Sequence, residues 1–149
     1  TTISQNKVES FTEYIDDYDN GGQISETFDD ADIAFSPNLI ANSIFSYTNS
    51  GFTGAISSKY VSKQYLDNTQ NDARSIDAYF VNDVRLAYKL QNLLSFKAVT
   101  ATLMVNNILD AEYETNGYTY GYVYGGMQRY NYYFPQAGTN FLFQVKWEF

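Results

Sequence analysis

The stretch FLFQVKWEF, residues 141–149, alternates apolar and polar side chains along its length. Its odd-numbered positions are all apolar or aromatic, and among its even-numbered positions only Leu142 is not polar. A period of two is typical of a β-strand that has one apolar face and one polar face. The surroundings of that apolar face decide which kind of β protein this is.

The composition favours an all-β protein that is rich in cross-strand aromatic pairs. Among 149 residues there are 15 Tyr and 11 Phe, only 2 Pro, and no segment of helical period. The absence of a run of about eighteen apolar residues excludes a transmembrane helix but not a membrane barrel, whose lumen and loops are polar. The period of two predicts six strands, at about 2–15, 33–47, 52–66, 78–90, 97–113 and 139–149.

Several classes of function are disfavoured by residues that the chain lacks. It has no Cys and no His, so disulfides, thiolate or imidazole metal sites and the usual catalytic triads are excluded. A net charge of −8 disfavours nucleic acid as a partner. We therefore expect no enzyme, no cofactor and no metal site. The opening TTISQNKVES has neither Met nor a signal segment, which indicates a processed chain or a piece of a longer one.

The connections between the predicted strands alternate between long and short. They cover residues 16–32, 48–51, 67–77, 91–96 and 114–138. If consecutive strands are antiparallel, all the long loops lie at one end, as in outer-membrane barrels with short periplasmic turns. Six strands are too few to close such a barrel, and open edges are not tolerated in lipid. The sequence therefore predicts about six antiparallel transmembrane strands that form the C-terminal part of a larger barrel.

Two segments near the end of the chain resemble a known family. LMVNNILDAEYETNGYTYGY (103–122) and YYFPQAGTNFLFQVKWEF (132–149) are similar to the C-terminal end of TonB-dependent outer-membrane receptors, particularly those of Bacteroidetes. Residues 105–113 match the pattern V-x-N-[IL]-[FL]-[DN]-x-x-Y of the penultimate strand in that family. The segments 33–47, 57–69 and 77–90 also look like late strands of such a barrel.

The resemblance implies a 22-stranded barrel with a plugged lumen in the outer membrane of a Gram-negative bacterium. Residues 1–149 would form its last strands, and the N-terminal plug domain would be absent. Such receptors import a bulky, scarce nutrient of the ferric siderophore, cobalamin or glycan class. The implied partners are outer-membrane lipid, the TonB complex through the missing N-terminal part, the barrel-assembly machinery, and an iron chelate or other nutrient ligand.

The resemblance also implies a role for the last strand. In this family the terminal aromatic strand looks like the signal that the barrel-assembly machinery recognises. In this sequence Phe143, Val145, Trp147 and Phe149 would carry that signal. An amphipathic strand with a free edge is able to add to another sheet.

A tyrosine-rich stretch is the candidate ligand site. Tyrosines at every second position are followed by a Gly-Gly turn, so their phenols share one face of a hairpin arm. Two interpretations remain open: an extracellular hairpin stiffened by aromatic pairs, or a face that holds a ligand by stacking and phenolic hydrogen bonds. Iron binding by tyrosinate is disfavoured, because a phenol pKa lies near 10. The candidate residues are Tyr118, Tyr120, Tyr122, Tyr124, Arg129, which would attract an anionic chelate, and Tyr130.

Two further groups of charges have simpler interpretations. The acidic segment 16–32 fails the EF-hand pattern at Gly21 and Phe28 and is expected to be a solvated outer loop. Five charged residues are expected to line the lumen and to pair with one another or with the plug: Asp83, Arg85, Lys89, Lys146 and Glu148. The alternative function is a soluble all-β ligand-binding or adhesin domain that uses the tyrosine-rich surface.

Overall fold

The computed structural model describes residues 1–93 and 95–149, and most of them lie in β-strands. A single turn of 3₁₀ helix spans Asp72–Arg74. No helix in the described residues is long and apolar enough to span a membrane. The strands are β1 (Thr2–Ile3), β2 (Lys7–Asp17), β3 (Gln23–Asp32), β4 (Leu39–Asn49), β5 (Phe52–Val61), β6 (Gln64–Tyr65), β7 (Ser75–Ile76), β8 (Tyr79–Leu93), β9 (Phe96–Asn106), β10 (Glu114–Val123), β11 (Met127–Pro135) and β12 (Asn140–Glu148).

The chain divides into two compact units. Unit 1 contains a four-stranded sheet of order β11-β10-β2-β3 and the small β6-β7 pair, and unit 2 contains most of a six-stranded sheet of order β1-β4-β5-β8-β9-β12. The predicted all-β class is confirmed. Unit 1 comprises residues 1–40, 61–79 and 113–136, and unit 2 comprises residues 41–60, 80–112 and 137–149.

The predicted set of six antiparallel strands is confirmed as a sheet, with one change in membership. Five predicted segments correspond to β4, β5, β8, β9 and β12. The first prediction, 2–15, is wrong as a single strand. Only β1 joins the six-stranded sheet, by pairing with the start of β4, whereas β2 pairs with β3 in unit 1.

The long connections contain strands of their own. The acidic segment 16–32, expected to be a loop, includes all of β3, which pairs antiparallel with β2 at positions such as Phe11↔Phe28 and Ile15↔Ile24. Most of β3 is exposed, so the strand has no continuous apolar face for the sequence pattern to detect. Connection 114–138 contains β10 and β11, and connection 67–77 contains the 3₁₀ turn and β7.

The connection between β4 and β5 is a tight turn. Between β4 and β5, Ser50 and Gly51 both have positive φ, 47° and 86°, as a two-residue type I′ hairpin turn requires. A Cβ on Gly51 would lie 2.5 Å from the Lys89 carbonyl oxygen, so the neighbouring strand also favours glycine there. The predicted connection 91–96 includes Leu94, which lies outside the described residues. β8 continues to Leu93 and β9 begins at Phe96.

The opening stretch forms β12, and its register extends the two-faced pattern over three strands. Leu142, the exception to the alternation, lies opposite Met104 on the polar face. The apolar face consists of the rows Val84–Val105–Phe141, Leu86–Leu103–Phe143, Tyr88–Ala101–Val145 and Leu90–Val99–Trp147. The other face includes the rows Ala87–Thr102–Gln144 and Lys89–Thr100–Lys146.

Three of the charges predicted to share the polar face pair with one another. Glu148 accepts hydrogen bonds from Lys89 Nζ at 3.2 Å and from Lys146 Nζ at 3.1 Å. These side chains are substantially exposed, so each pair stabilises the sheet only weakly. Asp83 instead accepts a hydrogen bond from the backbone N–H of Asn107 at 2.9 Å.

The family-like pattern in residues 105–113 is explained by a buried amide. Asn107 is 3% exposed, and its Nδ2 donates to the carbonyl oxygens of Ala111 and Ala137 at 2.9 and 3.2 Å. Its Oδ1 accepts from the Ala111 N–H at 3.0 Å, and its φ of 50° is one that asparagine tolerates. Asp110 Oδ1 accepts from the Thr139 N–H at 2.8 Å. The Asn and Asp of the pattern therefore fix the turn after β9 to the segment before β12.

We predict that Asn107→Ala destabilises unit 2 by about 2–4 kcal/mol. It removes three side-chain hydrogen bonds, leaves buried backbone groups unpaired and places alanine at positive φ. Asn106→Ala, which removes one exposed bond to Asn140, is the matched control and should cost about 1 kcal/mol or less. Urea unfolding of the protein measures the difference. Equal costs for the two variants would contradict the role assigned to Asn107.

Candidate functional site: the aromatic row

The predicted Gly-Gly hairpin is confirmed in unit 1. β10 and β11 pair antiparallel, with Tyr118 opposite Tyr132 and Tyr120 opposite Tyr130. The turn contains Gly125 and Gly126, both at positive φ. Because cross-strand partners share a face, tyrosines at alternate positions of both strands lie side by side.

These side chains form a continuous aromatic row that alternates between the two strands. Its inner rings are nearly parallel: Tyr118–Tyr132 centroids are 5.0 Å apart at 12°, and Tyr120–Tyr132 centroids are 6.1 Å apart at 3°. Such pairs contribute about 0.5–1.5 kcal/mol each beyond area burial, so the row stiffens the hairpin. We use "aromatic row" for Phe134, Tyr118, Tyr132, Tyr120, Tyr130, Tyr122 and Tyr18, in spatial order.

The β2–β3 turn supplies the last ring and holds the hairpin tip. Tyr18 packs edge-on against Tyr122 at 6.0 Å, and its N–H donates to the Val123 carbonyl at 2.9 Å. The Asp19 carboxylate accepts the N–H groups of Gly125 and Gly126 at 2.8 and 3.1 Å. The two turns of unit 1 are therefore joined by three hydrogen bonds and one ring contact.

The opposite face of β10 carries small residues because other groups lie close to it. A Cβ on Gly117 would lie 2.5 Å from the Tyr132 carbonyl oxygen and 3.0 Å from a methyl of buried Leu66. A Cβ on Gly121 would lie 2.9 Å from Arg129 Cδ. Tyrosine thus alternates with the smaller residues Gly117, Thr119 and Gly121, so the strand has an exposed aromatic face and an opposite face of low bulk, which the Arg129 side chain approaches at Gly121.

Arg129 belongs to a charge network beneath the hairpin, not to the aromatic row. It donates two hydrogen bonds to the Glu13 carboxylate, at 2.5 and 2.7 Å. Arg74 also donates to Glu13, at 3.0 Å, and to Asp67, at 2.7 Å. The four side chains are only 10–23% exposed. The Glu13 carboxylate raises the pKa of Arg129, so this guanidinium stays protonated. Its positive charge is already balanced by the negative charge of Glu13.

The structure therefore assembles only part of the predicted site. Tyr118, Tyr120, Tyr122 and Tyr130 lie together in the aromatic row, whereas Tyr124 lies at the exposed tip outside it and Arg129 is on the opposite face. The period of two in β11 is enough to add Tyr132 and Phe134. Tyr18 comes from a distant turn, and no local pattern in the sequence identifies it.

The phenols of Tyr120 and Tyr122 remain protonated at neutral pH. The Tyr132 hydroxyl beside it raises the pKa of Tyr120, and the Tyr130 hydroxyl raises the pKa of Tyr122. Both hydroxyls therefore act as neutral donors and acceptors, and their ionisation to phenolate requires more alkaline conditions than for a free tyrosine. This direction disfavours metal binding by tyrosinate.

The acidic residues beside the row cap turns. Asp17 Oδ2 accepts from the Asn20 side chain, and its Oδ1 accepts from the Asp19 and Asn20 N–H groups, each at 3.0 Å. The bond from the Asn20 side chain is the main cause that lowers the pKa of Asp17. Its contribution to stability is therefore present at neutral pH and is lost as the pH falls below the usual range for Asp. Among residues 1–93 and 95–149, no group of three or more Asp, Glu, His or Cys is arranged to hold a metal ion.

We predict that Glu13→Gln loosens the hairpin, because it leaves Arg129 half-buried without its counter-charge. Removing one partner of a fully buried pair costs about 3–5 kcal/mol, and this less buried pair should cost about 2 kcal/mol. Hydrogen exchange of the slowest amides in β10 and β11 should then accelerate roughly thirtyfold. Glu26→Gln, on the neighbouring strand and exposed, is the control and should change exchange less than about threefold. Similar rates in the two variants would show that the network does not support the hairpin.

Comparison with known proteins gives one match. A family model described as "TonB dependent receptor-like, beta-barrel" matches residues 6–108, which is well over half of the chain. No curated protein and no solved structure gives a match. The matched range includes β2 to β9, while the β10–β11 hairpin and β12 follow it. The chain belongs to the TonB-dependent receptor β-barrel family, a family of outer-membrane transporters.

Proposed function

We propose that this chain is the C-terminal wall of an outer-membrane receptor that imports a bulky nutrient with energy supplied through TonB. The main observation is the sheet of unit 2, which has one continuous apolar face and one polar face. In an outer-membrane barrel the apolar face meets lipid and the polar face meets the lumen. Transport itself requires the plug and the TonB-contacting segment, which members of the family contain in addition to the barrel.

The exposure of the apolar face supports a lipid contact. Phe141, Phe143 and Trp147 on β12 are 79%, 63% and 54% exposed. The rows of β8 and β9 continue this surface with aliphatic side chains. A soluble domain rarely leaves a patch of this kind uncovered, because apolar surface in water is unfavourable by about 25 cal/mol per Å². This surface favours the membrane receptor over the soluble adhesin alternative.

The edge of the sheet supports a larger barrel. Within the described residues, β12 pairs with β9 and leaves its other edge without a partner strand. In hydrocarbon each unpaired backbone N–H or C=O costs several kcal/mol. A wall of this kind therefore requires further strands to close it, which agrees with the 22-stranded architecture that the resemblance implies.

The lengths of the connections support an orientation. The three long connections, 16–32, 67–77 and 114–138, lie almost wholly in unit 1, and the short ones, 48–51 and 91–96, lie in unit 2. Outer-membrane barrels place long loops outside the cell and short turns in the periplasm. In the proposed receptor the aromatic row therefore faces the outside, where it contacts the incoming nutrient.

Labelling of intact cells tests this orientation, and the absence of Cys from the chain makes single-cysteine variants informative. Tyr124→Cys, at the 68% exposed hairpin tip, should react with a membrane-impermeant maleimide on whole cells. Ser50→Cys, an isosteric change in the β4–β5 turn, should react at least about tenfold less until the outer membrane is permeabilised. The receptor without either cysteine gives the background. Labelling of Ser50→Cys but not of Tyr124→Cys on intact cells would reverse the orientation. Purification of both variants as soluble protein without detergent, with equal labelling of the two cysteines, would remove the membrane assignment.

A second part of the proposal concerns β12 as the signal for barrel assembly, carried by Phe143, Val145, Trp147 and Phe149. Phe149 also packs on Phe96, with centroids 5.1 Å apart, so packing and recognition must be separated. Phe149→Ala and Phe96→Ala remove the same contact, but only the first changes the C-terminal aromatic residue that follows β12.

We predict that Phe149→Ala lowers the amount of folded receptor in the outer membrane several-fold more than Phe96→Ala does. The measurement is the heat-modifiable fraction of the receptor in outer-membrane preparations at matched expression. Equal losses would assign Phe149 to packing alone.

A further inference from the structure

We infer that the aromatic row takes an uncharged, polyhydroxylated ligand of the carbohydrate class and rejects anions. This inference rests on the proposed function, because it specifies the ligand of the outward-facing site. Three observations on unit 1 carry it: the balance of charges, the pairing of every cation, and the way the aromatic rings use their faces.

The balance of charges is strongly negative. Unit 1 contains thirteen Asp and Glu side chains but four Lys and Arg side chains, whereas unit 2 contains four and five. The net charge of −8 of the whole chain is therefore concentrated in unit 1. Tyr18, at one end of the aromatic row, lies between Asp17 and Asp19 in the chain. A field of one sign over a binding surface attracts ligands of the opposite sign and repels those of the same sign.

The structure describes every residue of unit 1, and each of its four cations is already paired with a carboxylate. Lys7 pairs with Asp30 at 2.6 Å and Lys63 with Asp72 at 2.5 Å. Arg74 and Arg129 share Glu13, as described above. An anionic ligand would have to break one of these pairs before it gained a partner. The earlier expectation that Arg129 attracts an anionic chelate is therefore not supported by its position.

The rings of the row use most of their faces on one another. Tyr118, Tyr132, Tyr120, Tyr130 and Tyr122 are stacked in succession, with centroids 5.0–6.1 Å apart. Four of these side chains are nevertheless 38–47% exposed, so a ligand meets ring edges and hydroxyls. A rim of neutral hydroxyls, each both donor and acceptor, suits a ligand that carries many hydroxyls of its own. A flat aromatic chelate finds few free ring faces.

Substitutions that keep the rings but remove hydroxyls test this assignment. Tyr120→Phe combined with Tyr132→Phe preserves the stacking and deletes two neighbouring hydroxyls. Tyr133→Phe, on the same strand but the opposite face, is the matched control. The detergent-solubilised receptor that carries this chain is applied to an array of neutral oligosaccharides and acidic ones bearing uronate or sulfate. A ferric tris-catecholate, a compact anion, is titrated in parallel.

We expect binding to neutral oligosaccharides only, a loss of at least about tenfold in affinity in the double Phe variant, and no change in Tyr133→Phe. Binding of acidic glycans or of the ferric anion with equal or greater affinity would overturn the charge argument. Full affinity in the double Phe variant would overturn the role of the hydroxyls, and no binding to any neutral glycan would overturn the ligand class. Cysteine labelling at the hairpin tip tests the proposed function separately. A failure of the ligand assignment is therefore distinguishable from a failure of the proposed receptor function.

Discussion

The pleat of a β-strand is the constraint on which this structure depends, because it sends successive side chains to opposite faces and each face needs its own surroundings. In unit 2 the faces are apolar and polar, and three strands in register turn single alternations into rows. In β10 one face carries tyrosines and the other carries smaller residues, among them Gly117, Thr119 and Gly121. The same period of two therefore gives one unit an apolar surface and the other a surface of phenols, and the residue types at alternate positions decide which.

Most of the sheet of unit 2 was predictable because each of its strands carries its own alternation. β8 and β12 separate apolar from charged side chains so clearly that local sequence fixes both strand and face. β3 was missed because it is exposed on most of its length and becomes a strand only by pairing with β2. Most of β2 lies within the predicted strand 2–15, but its place in the sheet of unit 1 was missed, because its pairing with β3 and β10 depends on partners near and far along the chain.

The candidate site shows the same division between local and distant information. The hairpin and its tyrosines follow from alternate positions and a Gly-Gly turn. Because this turn pairs Tyr120 with Tyr130, the neighbouring Arg129 lies on the opposite face. The odd-numbered position of Arg129 was therefore enough to predict that it does not share the face of the tyrosines. Its partner Glu13 is 116 residues away in sequence, and so no local pattern could reveal that the guanidinium is neutralised. Tyr18 likewise joins the aromatic row through contacts with Tyr122 and Val123, which are more than 100 residues away in sequence.

The segregation of charge between the units has a consequence for how the protein responds to its environment. Because all of the excess carboxylates lie in unit 1, acidification toward the sequence pI of about 4.3 changes the charge of unit 1 far more than that of the sheet in unit 2. Ionic strength acts on the same unit through screening. In the proposed receptor, the sheet of unit 2, which is nearly neutral and apolar on one face, responds instead to acyl-chain length and to detergent. In the proposed receptor, pH and ionic strength thus act mainly on unit 1, whereas lipid or detergent acts mainly on unit 2.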